Sequence, residues 1–321
     1  MSATLVHEPV VYADITDLDI VNNPEHRQQW LDLRRGGIGG SEAAAIIGVD
    51  PWSSRFEVYH DKLGNVPPKD QTRHMEWGHR LEDSVRRWLG DQLGVDVIHK
   101  KIMYQHPDFP FMLANMDGEI GDDAIVECKN TDLRNEEEWV DGPPLHYTFQ
   151  TNHYLAVSGR QRAYIAVLIG GNDPRYFIIE RDEELIAMLI AAEQNFWEAN
   201  VLARVEPPVT ARDGELLGGL YAPEPDSEIL LPPAALQLLM ARKALKEATK
   251  DAEEEIKLLE NQVKAIMGNH TVGIGPDGTV LVTWKSHDET KLAPALLRED
   301  LPLIAARYSN TKPVRTFLSK V

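Results

Sequence analysis

The stretch Asn115-Met-Asp-Gly-Glu-Ile-Gly-Asp-Asp-Ala-Ile-Val-Glu-Cys-Lys129 decides how this chain is read. Gly121-Asp122-Asp123 has the composition of a three-residue hairpin loop. If that loop pairs Ile120 with Ala124, antiparallel register places Asp117 opposite Glu127 and Asn115 opposite Lys129. Side chains alternate along a strand, so Glu127 and Lys129 share one face while Val126 and Cys128 point to the other. Two facing carboxylates stand roughly 4.5–5.5 Å apart at Cβ and repel unless a positive charge lies between them. A divalent cation fits that place, because Mg²⁺ is commonly held by one or two carboxylates with water and phosphate completing its shell. The plainer alternative is a surface hairpin with a polar outer face. The lysine two residues after Glu127, on the same face, favours a site.

Composition sets the frame. The chain has 321 residues and is 43% hydrophobic, enough for one large domain with an extension and a sizeable core. No apolar run reaches membrane-span length and the N-terminus lacks a signal-peptide pattern. Cys128 is the single cysteine, so an internal disulfide is excluded; it reads as a small buried hydrophobe on the inner strand face. Net charge is −18, which argues against indiscriminate binding to nucleic acid. The charge is uneven: Glu136–Glu138 with Asp141, and the stretch 213–228, are acidic. Residues 301–321 carry Arg307, Lys312, Arg315 and Lys320 and no acid. An acidic exterior with a focused basic channel is compatible with both facts.

Residues 1 to about 24 read as a loosely ordered lead-in, and His26–Leu33 as a helix. Gly36-Gly37-Ile38-Gly39-Gly40 follows, then Ser41 as an N-cap, a short helix Glu42–Ile47 and Gly48 as its stop. Glycines leading into a helix N-terminus can bind an anion through free N–H groups, with Arg34 and Arg35 just upstream; a plain turn and cap explains them equally. Met75–Leu89 carries Leu81, Val85 and Leu89 at helical spacing, with Glu82 on the border of that stripe. Lys100–Tyr104, Phe111–Asp117 and Ala124–Lys129 suit strands. Leu145–Val157 suits a helix with Tyr147, Gln150 and Tyr154 on one face, either packed or functional. Ala163–Ile169 is apolar enough for a covered central strand, and Arg175–Glu180 is its neighbour. Asp182 caps a long helix to Leu202. The segment 205–233, rich in proline and glycine, reads as a linker. A Lys/Glu-rich helix (Ala234–Met267), a hairpin turning at Pro276-Asp277-Gly278, a short helix and the basic tail complete the chain.

Taken in order, these motifs resemble the YqaJ and phage λ exonuclease family of restriction-endonuclease-like nucleases with the PD-(D/E)xK signature. The resemblance covers roughly residues 27–200 and rests on Gly-Ile-Gly-Gly-Ser-Glu-Ala-Ala-Ala at 37–45, Trp77-Gly78-His-Arg-Leu-Glu82, Met116-Asp117-Gly118, Glu127-Cys-Lys129 and Gln150-Thr-Asn-His-Tyr154-Leu. Met116 stands where the signature has proline.

What the resemblance implies is specific. The fold would be α/β (α+β), a mixed central sheet flanked by helices, with a helical and β-hairpin C-terminal extension. Domains would run 1–26 (lead-in), 27–204 (nuclease), 205–233 (linker) and 234–321 (helix, hairpin and basic tail). Asp117, Glu127 and the backbone carbonyl of Cys128 would ligate Mg²⁺, or alternatively Mn²⁺. Lys129 would orient or activate the attacking water, Glu82 would assist a second metal or the water, and Gln150 and Tyr154 would position the lysine and the scissile phosphate. Ser41 and Arg34 match the family's 5′-phosphate pocket, spacing favouring Arg34 over Arg35. Asp108 matches a further family acid. The implied activity is a 5′-to-3′ exonuclease that degrades one strand of linear double-stranded DNA, leaving 3′ overhangs for phage-type recombination. A toroidal homotrimer, a single-strand annealing partner and the bacterial cytoplasm are implied with it, and no membrane. An endonuclease of the same fold and a non-catalytic DNA-end scaffold are the alternatives; a single cysteine excludes the iron–sulfur cluster of a Cas4-like enzyme.

Overall fold

A computed structural model describes residues 6–66, 72–224, 227–310 and 316–320. It divides into two units, 1–222 and 223–321.

In the first unit, β1 (Val10–Asp14) and α1 (Pro24–Arg35) precede a two-residue β2 (Ile38–Gly39) and α2 (Gly40–Ile47). Next come α3 (Arg55–Lys62) and the long α4 (Arg73–Leu93). Strands β3 (Ile102–Gln105), β4 (Met112–Asn115), β5 (Gly118–Ile120) and β6 (Ala124–Thr131) follow. A 3₁₀ turn over Leu133–Trp139 leads to α5 (Leu145–Ser158), β7 (Arg162–Ile169), β8 (Asp173–Glu180) and α6 (Glu183–Phe196). Helix α6 runs on through a π-helical stretch to Leu202, so the single helix expected from Asp182 to Leu202 is continuous but changes its winding.

The sheet is mixed and split into two four-stranded leaves, ordered β1-β3-β4-β2 and β5-β6-β7-β8. The chain crosses between leaves at Met116-Asp117, between the end of β4 and the start of β5. In the second leaf β6 and β7 are parallel and joined by α5 as the crossover; β7, buried along most of its length, is central as its sequence implies. The hairpin register matches expectation, with Ile120 opposite Ala124 and Gly118 opposite Val126. Asn115 does not face Lys129: it belongs to the other leaf, opposite Met103. The register rule assumes one continuous strand, and this strand breaks at the crossing.

Two further expectations change. The lead-in is not loose throughout, because β1 adds an edge strand antiparallel to β3, with a register shift between Val11 and Ala13. Ser41 is not the N-cap of α2; Gly39 holds that position, and the Glu42 carboxylate reaches back to its N–H at 2.8 Å. The extended backbone at Gly39, two residues earlier than a cap at Ser41 requires, brings Ser41 into the first turn.

The core follows apolar periodicity on most elements, but α5 departs from it. From Phe149 to Ser158 every residue is buried, including Gln150, Thr151, Asn152 and His153. His153 is clamped on both ring nitrogens, 2.9 Å from Glu193 and 2.9 Å from the Leu113 carbonyl. Burial works against its charge, but Glu193 and that carbonyl hold its pKa above the ordinary histidine value. This buried bridge ties α5 to α6 on one side and β4 on the other. Segment 205–222 packs on the same unit: Arg212 Nη1 donates to the Asp50 carbonyl at 2.6 Å, and Asp213 is buried against Ser54. It contains α7 (Gly214–Leu220).

The second unit consists of α8 (Pro233–Met267), the hairpin β9 (Val272–Ile274) and β10 (Val280–Thr283), α9 (Pro294–Asp300) and α10 (Pro302–Arg307). Of the basic tail, Lys312 and Arg315 lie outside the described residues.

Candidate active site

The strand crossing and the buried face of α5 position the candidate residues. Glu127 Oε1 accepts from Lys129 Nζ at 2.6 Å and from Gln150 Nε2 at 2.7 Å. Lys129 Nζ also donates to Gln150 Oε1 at 3.2 Å, closing a triangle. Glu127 and Lys129 lie on one strand face by alternation, and Gln150 is aimed at them from the helix above. Tyr154, one turn further along α5, accepts from Gln150 Nε2 at 3.2 Å. Tyr147, one turn earlier, puts its ring 4.6 Å from the lysine ammonium. Of the three residues expected on one face of α5, all reach the cluster.

Asp117 sits at the crossing and accepts the Cys128 N–H through Oδ2 at 2.7 Å. Its own carbonyl accepts from Arg86 Nη1 on α4 at 2.8 Å, and Arg86 is paired with Asp83 at 2.9 Å. Gly118 makes that approach feasible: a Cβ there would stand 3.1 Å from Arg86 Cδ and 2.7 Å from Val97 Cγ1. The glycine of the Met116-Asp117-Gly118 motif is therefore room for an arginine. Sequence reasoning missed Arg86; only its placement one helical turn beyond Glu82 hints at it. Glu82 itself bonds His79 at 2.9 Å and lines, with Asp117, Arg86 and His99, a cleft of about 370 Å³. The opposite wall of that cleft is Ile15–Val21, part of the lead-in.

Electrostatics separate these groups. Burial, then the charges of Glu127 and Glu82, push the Asp117 carboxyl well above the usual carboxylate range. Glu127 is raised as well, chiefly by burial, with Lys129 and Gln150 opposing. Lys129 is only partly exposed, yet Glu127, Tyr147 and Asp117 outweigh its desolvation and hold it charged. The Cys128 thiol is pushed up by burial and by both acids, and its side chain packs with Val85, Leu89, Val126 and Ala166 as a hydrophobe.

A cation fits this arrangement. Glu127 Oε2 is buried without a hydrogen-bond partner. Asp117 and Glu82 add negative charge beside it, which only a positive ligand or protonation can relieve. Among the described residues no group of three or more His, Cys, Asp or Glu is arranged to hold a metal. The arrangement here is of another kind, the carboxylates of Asp117 and Glu127 with Glu82 close by, and hard cations such as Mg²⁺ take oxygen ligands of this type.

A second cluster surrounds the N-terminus of α2. Arg34 Nη2 donates to Ser41 Oγ at 2.9 Å and lies 3.4 Å from Glu42. Glu42 is claimed more closely by Lys62, at 2.7 Å, whose ammonium also donates to the Arg34 carbonyl at 2.9 Å. Lys62 and Arg34 thus share one glutamate. Arg35 turns away, to Asp32 and the Asp61 carbonyl. Gly40 joins this cluster to the first: a Cβ there would stand 2.5 Å from Tyr154 Cε1. Asp108 lies apart, in the turn between β3 and β4, where its N–H and that of Phe109 donate to His106 Nδ1 at 3.1 and 3.2 Å.

Comparison with known proteins places this architecture in a class. The YqaJ-like viral recombinase domain matches residues 29–161, which include both clusters. The chain is 36% identical over 304 residues to a Bacillus subtilis (strain 168) protein described as uncharacterized protein YqaJ, covering 92% of this chain and 95% of that one. It belongs to the YqaJ-like viral recombinase family. Among solved structures it is similar to an alkaline exonuclease from Laribacter hongkongensis, at 22% identity and a TM-score of 0.47, over 56% of this chain and 94% of that one. A phage-related exonuclease from Haemophilus somnus 129PT is similar at 14% identity and a TM-score of 0.40, over 52% and 96%. No helix among the described residues is long and apolar enough to cross a membrane.

Proposed function

We propose that this protein is a divalent-metal-dependent exonuclease that resects the 5′-ended strand of linear duplex DNA. The observation that carries the reading is the triangle of Glu127, Lys129 and Gln150 beside Asp117, with a glutamate oxygen left buried and unpartnered. Family membership supports it.

A cation held by Asp117, Glu127 and the Cys128 carbonyl, Mg²⁺ or Mn²⁺, would supply a hydroxide nucleophile at neutral pH and neutralise charge on the leaving oxygen. Lys129 remains protonated, so its part is electrostatic and orienting: it sets a fixed positive charge where the phosphate becomes more anionic. Gln150 fixes that ammonium by accepting from it while donating to Glu127, which prevents the lysine from collapsing onto the carboxylate alone. The Tyr147 ring supports the same cation from another side. Glu82, across the cleft from Ile15–Val21, is the acid available to a second cation or a water.

Arg34 and Ser41 at the start of α2 form the anion site in which a terminal 5′-phosphate would rest. Holding the end there, while Gln150 and Lys129 address the next phosphate, gives stepwise digestion a fixed register. The family association extends the reading to 3′ overhangs for strand annealing, a homotrimer around the duplex, an annealing-protein partner and the bacterial cytoplasm.

The test uses purified protein and Mg²⁺ on linear duplex with 5′-phosphate or 5′-hydroxyl ends, beside closed circles and a Lys129→Ala control. Mononucleotides from phosphorylated linear DNA, lost in the variant, support the reading. Cutting of closed circles would make the protein an endonuclease, and binding without cutting would make it a scaffold.

A further inference from the structure

Trp52 is 66% exposed, an unusual setting for the largest apolar side chain. It is nevertheless held in place. Asp50 Oδ1 accepts the N–H groups of both Trp52 and Ser53, at 2.7 and 2.6 Å, and the Asp50 carbonyl is held by Arg212. The ring meets His146 edge-on at 4.8 Å. His146 packs on Tyr147 at 4.0 Å, and Tyr147 lies 4.6 Å from Lys129 Nζ. Three successive contacts therefore connect an exposed indole to the candidate catalytic lysine. His146 is itself buried, with Nε2 unpartnered.

The helix α5 orders these parts along one line. Tyr154 abuts Gly40 at the Arg34–Ser41 end, Gln150 addresses Lys129 in the middle, and His146 marks the Trp52 end. At 1.5 Å per residue, Tyr154 and His146 are separated by about 12 Å along the axis. A DNA strand whose 5′-phosphate is held at Arg34 and Ser41 passes the lysine cluster next and reaches Trp52 after it.

The charges near Trp52 select what it can bind. Asp50 and Glu138 act on His146 and Tyr147 against the single ammonium of Lys129, so the local charge gives a phosphate no net attraction. A nucleobase is neutral and has a π-face, and aromatic side chains take bases without regard to sequence. We infer that Trp52 is a stacking platform for the nucleobase on the 3′ side of the scissile phosphate. Occupying it draws that base out of the duplex and presents the bond to the metal and Lys129.

This inference rests on the exonuclease reading, and its test separates the two. Duplex carrying a 5′-phosphate and 5-iododeoxyuridine at the second nucleotide is bound by the Lys129→Ala protein, irradiated in the near ultraviolet, and the cross-linked peptide identified by mass spectrometry. In parallel, Trp52→Ala and Trp52→Phe are assayed in the otherwise native protein. The cross-link is expected on the peptide containing Trp52. KM for DNA ends is expected to rise about tenfold in Trp52→Ala, equivalent to about 1.4 kcal/mol, with kcat less affected and Trp52→Phe retaining most of the affinity. A cross-link elsewhere, or Trp52→Ala with unchanged KM, overturns the platform while leaving the nuclease intact. A native protein that neither binds nor cuts DNA ends overturns both.

Discussion

Two glycines in the shared motifs are expected to answer substitution in opposite ways. At Gly40 a methyl group would sit 2.5 Å from Tyr154 Cε1 and 2.9 Å from both Cδ1 and Cζ. Carbon atoms pack best at about 3.5–4.0 Å, so the ring must retreat by about 1 Å. It has little room to do so, since Tyr154 is buried between α2 and the core formed with Leu155, Met116 and Ile125. Retreat also stretches the Gln150–Tyr154 hydrogen bond, already 3.2 Å, and loosens the glutamine that orients Lys129. Overpacking costs about 1–3 kcal/mol and a lost hydrogen bond about 0.5–1.5 kcal/mol. At about 2–4 °C per kcal/mol for a domain of this size, Gly40→Ala should lower Tm by roughly 3–18 °C. Misplacing a positioning group by about 1 Å can cost on the order of 100-fold in rate. Gly78, inside α4, has nothing within 4 Å of its Cβ position. There alanine should be neutral or stabilise by up to about 1 kcal/mol through helix propensity. Thermal unfolding of both variants, with nuclease rates on linear DNA, decides the matter. A Gly40→Ala protein with native Tm and rate would refute the packing argument.

Other outcomes follow from single contacts. His106 is held neutral, its pKa brought down to about 4 by burial and then by His7, and its Nδ1 accepts two backbone N–H groups. A folded pKa below the unfolded value of about 6.5 means stability is whole above that pH and is lost as pH falls from about 6.5 toward 4. His106→Asn keeps an acceptor that does not titrate, so its Tm should fall less between pH 7 and 4.5 than that of the native protein. Arg86→Met leaves the Asp117 carbonyl without its charged donor and should cost about 1–3 kcal/mol, read by chemical denaturation, with reduced nuclease activity. Mg²⁺ or Mn²⁺ at about 100 times Kd should stabilise the protein by about 2.7 kcal/mol in a metal-titrated thermal melt, and Asp117→Asn should abolish the response. An undiminished response in that variant would place the cation elsewhere.

The hairpin was legible from sequence because a short loop and strict alternation fix register locally. Ile120 opposite Ala124, and Glu127 with Lys129 on one face, required no knowledge of distant contacts. The limit came at Asn115, where the strand passes into the other leaf and alternation no longer reports on Lys129. Gln150 and Tyr147 were readable as one helix face, but not as a face turned toward a strand. Arg86, Lys62 and the His153–Glu193 pair depend on long-range contacts, and charged residues near apolar stripes look the same in sequence whether they face solvent or a buried carbonyl. The lead-in escaped because a five-residue edge strand carries little periodic signal beside turn-rich neighbours.

The unbroken burial of α5 has an evolutionary consequence. Most helices offer a solvent face on which mutations drift freely, so a tolerance map shows a period of about 3.6 residues. Along Phe149–Ser158 no such face exists. A saturation-mutagenesis map across this segment should be uniformly intolerant and aperiodic, whereas α8, exposed over nearly its whole length, should accept broad change. Substitutions that alter this protein without unseating the site should therefore concentrate outside the helix that orders it, on exposed faces such as that of α8.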